Sequence, residues 1–83
     1  MKSRKLLLKI STGNFKNVKF GELVRLLEDI GFELARISGS HHIFKHGAVD
    51  EIVNVQNVGG EAKPYQIRQI LQLIEKYDLA EGM

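Results

Sequence analysis

The sequence predicts an α+β domain in which one three-stranded sheet carries two helices on the same face, in the chain order α-β-β-β-α after a short N-terminal element. Three observations predict it. Phe20, Leu23, Val24, Leu27 and Ile30 recur at helical spacing, and Ile67, Ile70, Leu71, Ile74 and Tyr77 do so again near the C-terminus. Between these stripes lie three short runs rich in β-branched and aromatic residues, punctuated by glycine and serine. The length, 83 residues with 43% hydrophobic, supports one modest core and leaves no room for a cofactor-binding domain beside a catalytic one.

Each element has its own signals. Residues 2–10 can form one or two helical turns packed by Leu6, Leu7 and Ile10, with Ser11-Thr12-Gly13-Asn14 as the stop. The next helix sets Glu22, Arg25, Glu28 and Asp29 against its apolar stripe and ends at Gly31. Phe32 to Ile37 alternates loosely as a strand, turns at Ser38-Gly39-Ser40 and pairs with the following run as a hairpin closed by Gly47. Glu51 to Val55 reads as a third strand with Val53 and Val55 inward, and Asn57 to Ala62, with Gly59-Gly60, as a flexible connection. Pro64 suits the first turn of the last helix, where its missing N–H has no partner to lose. Leu73 falls off that helix's main stripe and is read as exposed, with a partner-facing patch as the alternative. Residues 1–18 are taken as a basic extension and residues 19–80 as the domain proper.

Charge and cysteine usage narrow the function. Lys and Arg outnumber Asp and Glu by 12 to 10, a net +2 that makes a weak electrostatic case for nucleic acid. The distribution says more, because Lys2, Arg4, Lys5, Lys9, Lys16 and Lys19 all precede the first acid, Glu22. Such a face can meet a phosphate backbone or simply be solvated. The absence of cysteine removes disulfides, thiol nucleophiles and thiolate metal sites. Lys9 interrupts the leucine run after Leu8, far short of a signal-peptide core, and no stretch is long enough to cross a bilayer, so a cytoplasmic protein is expected.

Gly39-Ser40-His41-His42-Ile43-Phe44-Lys45-His46 gathers all three histidines into one run. Imidazole is the side chain best suited to proton transfer near neutral pH. On a strand, His41, Ile43 and Lys45 share one face while His42, Phe44 and His46 share the other. With Phe44 in the core, His41 and Lys45 face outward together. Zinc is not expected from the three histidines, because neighbours on a strand diverge and no cysteine or nearby acid completes a tetrahedron. No cofactor is expected.

From about Phe20 to Leu79 the chain resembles HicA-type toxins, the mRNA interferases of type II toxin–antitoxin pairs. The resemblance rests on Leu-Leu-Glu-x-x-Gly-Phe at Leu26 to Phe32, on Arg36-x-x-Gly39-Ser40-His41-His42-x-Phe44-x-His46, and on Ile-x-x-Ile-Leu at Ile67 to Leu71. It implies a fold similar to double-stranded RNA-binding domains, with one sheet face open. It also implies that His41, the histidine after Gly-Ser, is catalytic in a metal-independent endoribonuclease, and that a HicB-like antitoxin covers this face. Metal-free RNA cleavage needs a base for the 2′-hydroxyl proton, an acid for the departing 5′-oxygen and a cation near the phosphate. His41 is assigned as the base, Lys45 as the phosphorane-stabilising cation with Arg36 in support, and Gly39 and Ser40 as the turn presenting His41 and offering backbone N–H groups. The acid is left to His46 or a lysine.

The chain departs from the commoner family pattern where many members carry Val-Pro-x-His on the third strand. Here that stretch is Val53-Asn54-Val55-Gln56, so the third-strand histidine is missing and Asn54 or Gln56 can bind but not transfer protons. Among the remaining candidates, His42 reads as a packed residue beside Phe44, and Lys63 and Arg68 flank the last helix, where they can grip phosphate or be solvated. Tyr65 is the surface aromatic that can stack a base. Ile43 is read as an apolar anchor for the antitoxin. The expected partners are mRNA and that antitoxin, with no membrane and no sequence-specific DNA binding by this chain alone. The competing readings are a non-catalytic RNA-binding module and a degenerate toxin that retains only antitoxin binding.

Overall fold

The architecture follows from where each helix can start and stop. A computed structural model describes residues 2–80 and gives α1 (Lys2–Ser11), α2 (Phe20–Asp29), β1 (Glu33–Ser38), β2 (His41–His46), β3 (Val49–Gln56) and α3 (Pro64–Tyr77). The strands form one antiparallel sheet in the order β1-β2-β3, and α2-β-β-β-α3 is the arrangement of double-stranded RNA-binding domains.

Helix α1 runs longer than one or two turns because it has a floor to lie on. Leu6 and Ile10, one turn apart, are buried against α2 and α3. The buried Ser3 hydroxyl donates to the Asp29 carboxylate, joining the start of α1 to the end of α2. This third helical layer also widens the buried arc of α2. Leu26 is wholly buried; Leu73, at 8% exposure, is buried too, against the expectation that it faces solvent, on the side of α3 whose Gln66 and Tyr77 bond to β3. A helix covered on one side buries a single stripe, whereas one sandwiched between a sheet and another helix buries more of its circumference.

Two short pairings align the helix starts. Phe20 N–H donates to the Gly60 carbonyl at 2.9 Å and Ala62 N–H to the Val18 carbonyl at 3.0 Å, so the segment entering α2 is stitched to the one entering α3. Glu22 accepts from the Lys19 N–H and caps α2. The other end of α2 closes in a Schellman motif: Phe32 N–H reaches the Leu27 carbonyl and Gly31 N–H the Glu28 carbonyl, with Gly31 at φ +103°.

Phe44 in mid-β2 is completely buried, with Val53 and Val55 beside it on β3. The β1–β2 hairpin has a two-residue loop, Gly39-Ser40, in which Gly39 alone takes a positive φ (+61°), the sign pattern of a type II′ turn. A bulge at Ala35 breaks the alternation of β1. Leu34 opposite Phe44 and Ile37 opposite His42 therefore share the helix-facing side although they are three positions apart. The same side is closed at β3 by Glu51, whose carboxylate takes the Tyr77 hydroxyl at 2.5 Å and the Lys76 ammonium at 3.1 Å. No helix among the described residues is long and apolar enough to cross a membrane.

Candidate active site on the open sheet face

Pairing register turns the open face into a grid. Across it, Ser38, His41 and Gln56 stand in one row, and Arg36, Ile43 and Asn54 in the next. Glu33 pairs with Lys45 beyond them. His41, Arg36, Lys45 and Asn54 are exposed, and Ile43 is half-buried between Arg36 and Asn54. His41 thus lies where alternation expected it, on the side away from Phe44.

The His41 ring is held. Its Nδ1 lies 3.1 Å from Asn54 Oδ1, reached diagonally across the β2–β3 ladder. Gln56, standing opposite His41, donates its side-chain amide to the Ser40 hydroxyl at 3.3 Å, and Asn57 N–H bonds the Ser40 carbonyl at 3.0 Å. The turn that presents His41 is therefore tied to β3 through both main chain and side chain. Behind β3, the buried Gln66 of α3 accepts the Gln56 N–H (3.1 Å) and donates to the Asn54 carbonyl (3.4 Å). Lys63 and the exposed Tyr65 sit in the same first turn of α3, the Lys63 ammonium 6.0 Å from the tyrosine ring.

His46 and His42 belong to the opposite side. His46 Nδ1 accepts the Ala48 N–H and Nε2 donates to the Ile30 carbonyl, both at 2.9 Å, and the ring packs edge-on against Phe32. With both nitrogens engaged below the sheet, His46 is not positioned as the acid for chemistry on the open face. His42 packs edge-on against Phe20 with ring centroids 4.8 Å apart. Lys45 also needs a revised role. Four residues at about 3.3 Å each put it roughly 13 Å along β2 from His41, too far for both to serve one phosphate, whereas Arg36 lies diagonally adjacent to His41.

Two of the N-terminal cations are elsewhere. Lys5, Lys9 and Arg25 rim a cleft of about 630 Å³ between α1 and α2, over Leu6 and Gly21. Lys5 and Lys9 of α1 thus lie at a helix–helix seam and not beside His41. Sequence reasoning named Asn54 only as a residue that binds. The period-two alternation already put it on the open face, but its contact with His41 depends on the β2–β3 register.

Fold and site together define a small α+β protein of the double-stranded RNA-binding-domain arrangement whose polar, histidine-bearing sheet face is left open. Residues 20–75 match the HicA toxin of bacterial toxin–antitoxin systems, and since this takes in more than half of the chain, the protein belongs to the HicA toxin family. No curated protein and no solved structure matches the chain. Membership of a toxin–antitoxin family implies an antitoxin partner. Helix α1 lies outside the matched residues, and the whole grid around His41 lies within them.

Proposed function

We propose that this chain is the toxin of a type II toxin–antitoxin pair and acts in the cytoplasm as a metal-independent endoribonuclease on mRNA, with His41 as its catalytic base. The observation that carries the reading is an exposed imidazole fixed through one nitrogen, with Arg36 diagonally beside it on a face that no helix of the described residues covers. In this mechanism His41 removes the proton from a ribose 2′-hydroxyl. The 2′-oxygen bonds to the adjacent phosphorus and the bond from phosphorus to the 5′-oxygen breaks. The products are a 2′,3′-cyclic phosphate and a 5′-hydroxyl, whose proton comes from solvent. Arg36 stabilises the charge that develops on the phosphorane. The Ser40 turn, Lys45 and Lys63 hold flanking backbone phosphates.

Inhibition follows from the same face. A HicB-like antitoxin laid over it buries Ile43 and the exposed Ile52, which alternation places two residues from Asn54, together with His41.

The test is induced expression of wild type and His41→Ala in a bacterial host, with growth and total mRNA followed together. Arrest and mRNA loss in the wild type only are expected, as is retention of the folded state by the variant. Equal mRNA loss in both removes His41 from the chemistry. No loss in either favours the second reading, a non-catalytic RNA-binding or antitoxin-binding domain, for which the absence of a third-strand histidine speaks.

A further inference from the structure

A histidine that acts as a base must present a lone pair, and which nitrogen has it depends on what the other one touches. An amide oxygen can only accept, so the His41 nitrogen 3.1 Å from Asn54 Oδ1 carries the proton. The lone pair is then on Nε2. We infer that Asn54 is the positioning residue of this site: it holds His41 in the Nδ1–H tautomer and aims the Nε2 lone pair at the RNA 2′-hydroxyl. This rests on the reading of His41 as the general base, and it goes beyond that reading by naming the atom that acts and the group that selects it.

Three observations make Asn54 a support and not a passing neighbour. It stands opposite Ile43 on the open face, so a diagonal reach to His41 is the one the ladder offers. Its main-chain carbonyl is gripped from beneath by the Gln66 amide, a side chain only 4% exposed, so Asn54 is tied to the packed α3–β3 seam. The adjacent open-face residue of β3, Gln56, holds Ser40 and with it the turn entering His41. One strand therefore fixes the ring and the backbone that carries it. The amide of Asn54 orients an imidazole without adding a second titrating group.

The role differs from that of a carboxylate. A buried or paired aspartate would hold the same tautomer and also favour the imidazolium, moving the loss of activity on acidification to higher pH. The neutral amide orients without that penalty.

Nitrogen-15 imidazole spectra of the full chain, with the His41 signals identified by their loss in His41→Ala, read the tautomer directly. Wild type is expected to give the Nδ1–H pattern, and Asn54→Ala a mixture with Nε2–H. On an oligoribonucleotide, Asn54→Ala is expected to lower kcat about 10- to 100-fold, the range for lost outer-shell partners, with KM changed less than about twofold. Asn54→Asp is expected to restore the single tautomer and to shift the acid limb of the pH–rate profile upward by about one unit. It also serves as the second variant, because a residue exposed on the sheet surface tolerates either change. An Nε2–H pattern in wild type, or an unchanged tautomer in Asn54→Ala, overturns the inference. A wild type that cleaves no RNA overturns the ribonuclease reading instead, and the spectra still decide whether Asn54 sets the tautomer.

Discussion

His41 and His46 stand at the two ends of one strand and meet opposite environments. His41 faces water, with one nitrogen on a side-chain amide. His46 is wedged beneath the sheet, both nitrogens on main-chain groups and its ring against Phe32. The difference teaches that a histidine cluster in sequence is not a cluster in chemistry. On a pleated strand an odd separation sends two side chains to opposite faces, so one ring is available to a substrate and the other serves as a clasp between α2 and the β2–β3 turn.

The largest effect that sharpens this contrast belongs to Phe44, the residue that decides which face is which. Phe44→Ala should cost about 3–5 kcal/mol of stability, read by denaturant unfolding, and a loss below about 1 kcal/mol would mean that β2 is not anchored as described. His46→Ala comes next. It leaves the Ile30 carbonyl and the Ala48 N–H without their partner, at about 1–3 kcal/mol for each group kept from water, while His41→Ala should stay within about 0.5 kcal/mol as a surface change. Equal destabilisation by the two variants would show that the His46 ring is no more firmly engaged than that of His41. Gly31→Ala tests the clasp from the other side, since a Cβ there would lie 2.6 Å from His46 Nε2 at a φ of +103°. A cost on the order of 1–3 kcal/mol is expected from that backbone conformation, together with displaced His46 ring resonances.

The smallest effect comes from a region that neither histidine touches. The Tyr77 hydroxyl, and then the Lys76 ammonium, hold the Glu51 carboxyl below its ordinary value of 4.5. A depressed folded-state value means that this clasp stabilises above the unfolded value and is lost as pH falls through the folded one. Glu51 in turn raises Tyr77 above 10.0 and Lys76 above 10.5, so their contributions are complete below those values and fade as pH rises through the folded ones. Glu51→Gln should therefore lower Tm slightly at neutral pH and narrow its gap to wild type in acid. Its RNA cleavage should match wild type, and a changed cleavage rate would show that the two sides of the sheet communicate.

Much of this molecule was legible in its residues because two periodicities and a few turn signals do most of the work. Helical stripes, Gly31 and Pro64 marked the helices, and alternation around Phe44 assigned His41 outward and His42 and His46 inward. Leu26 and Leu73 escaped, since their burial depends on α2 packing against α1 and on α3 packing against β3, contacts that no local pattern announces. The alternation of β1 looked loose for a definite reason, the bulge at Ala35 that puts Leu34 and Ile37 on one side.

The site divides in the same way. Local sequence determined that β2 exists, that Gly39-Ser40 turns into it and that His41 faces away from the core, because φ preferences and a two-residue period act over a few bonds. Tertiary structure decided that Asn54 meets His41, that Arg36 and not Lys45 is its neighbouring cation, and that His46 has both nitrogens occupied. These depend on register and on packing between elements distant in the chain, where a slip of one residue sends every side chain to the other face.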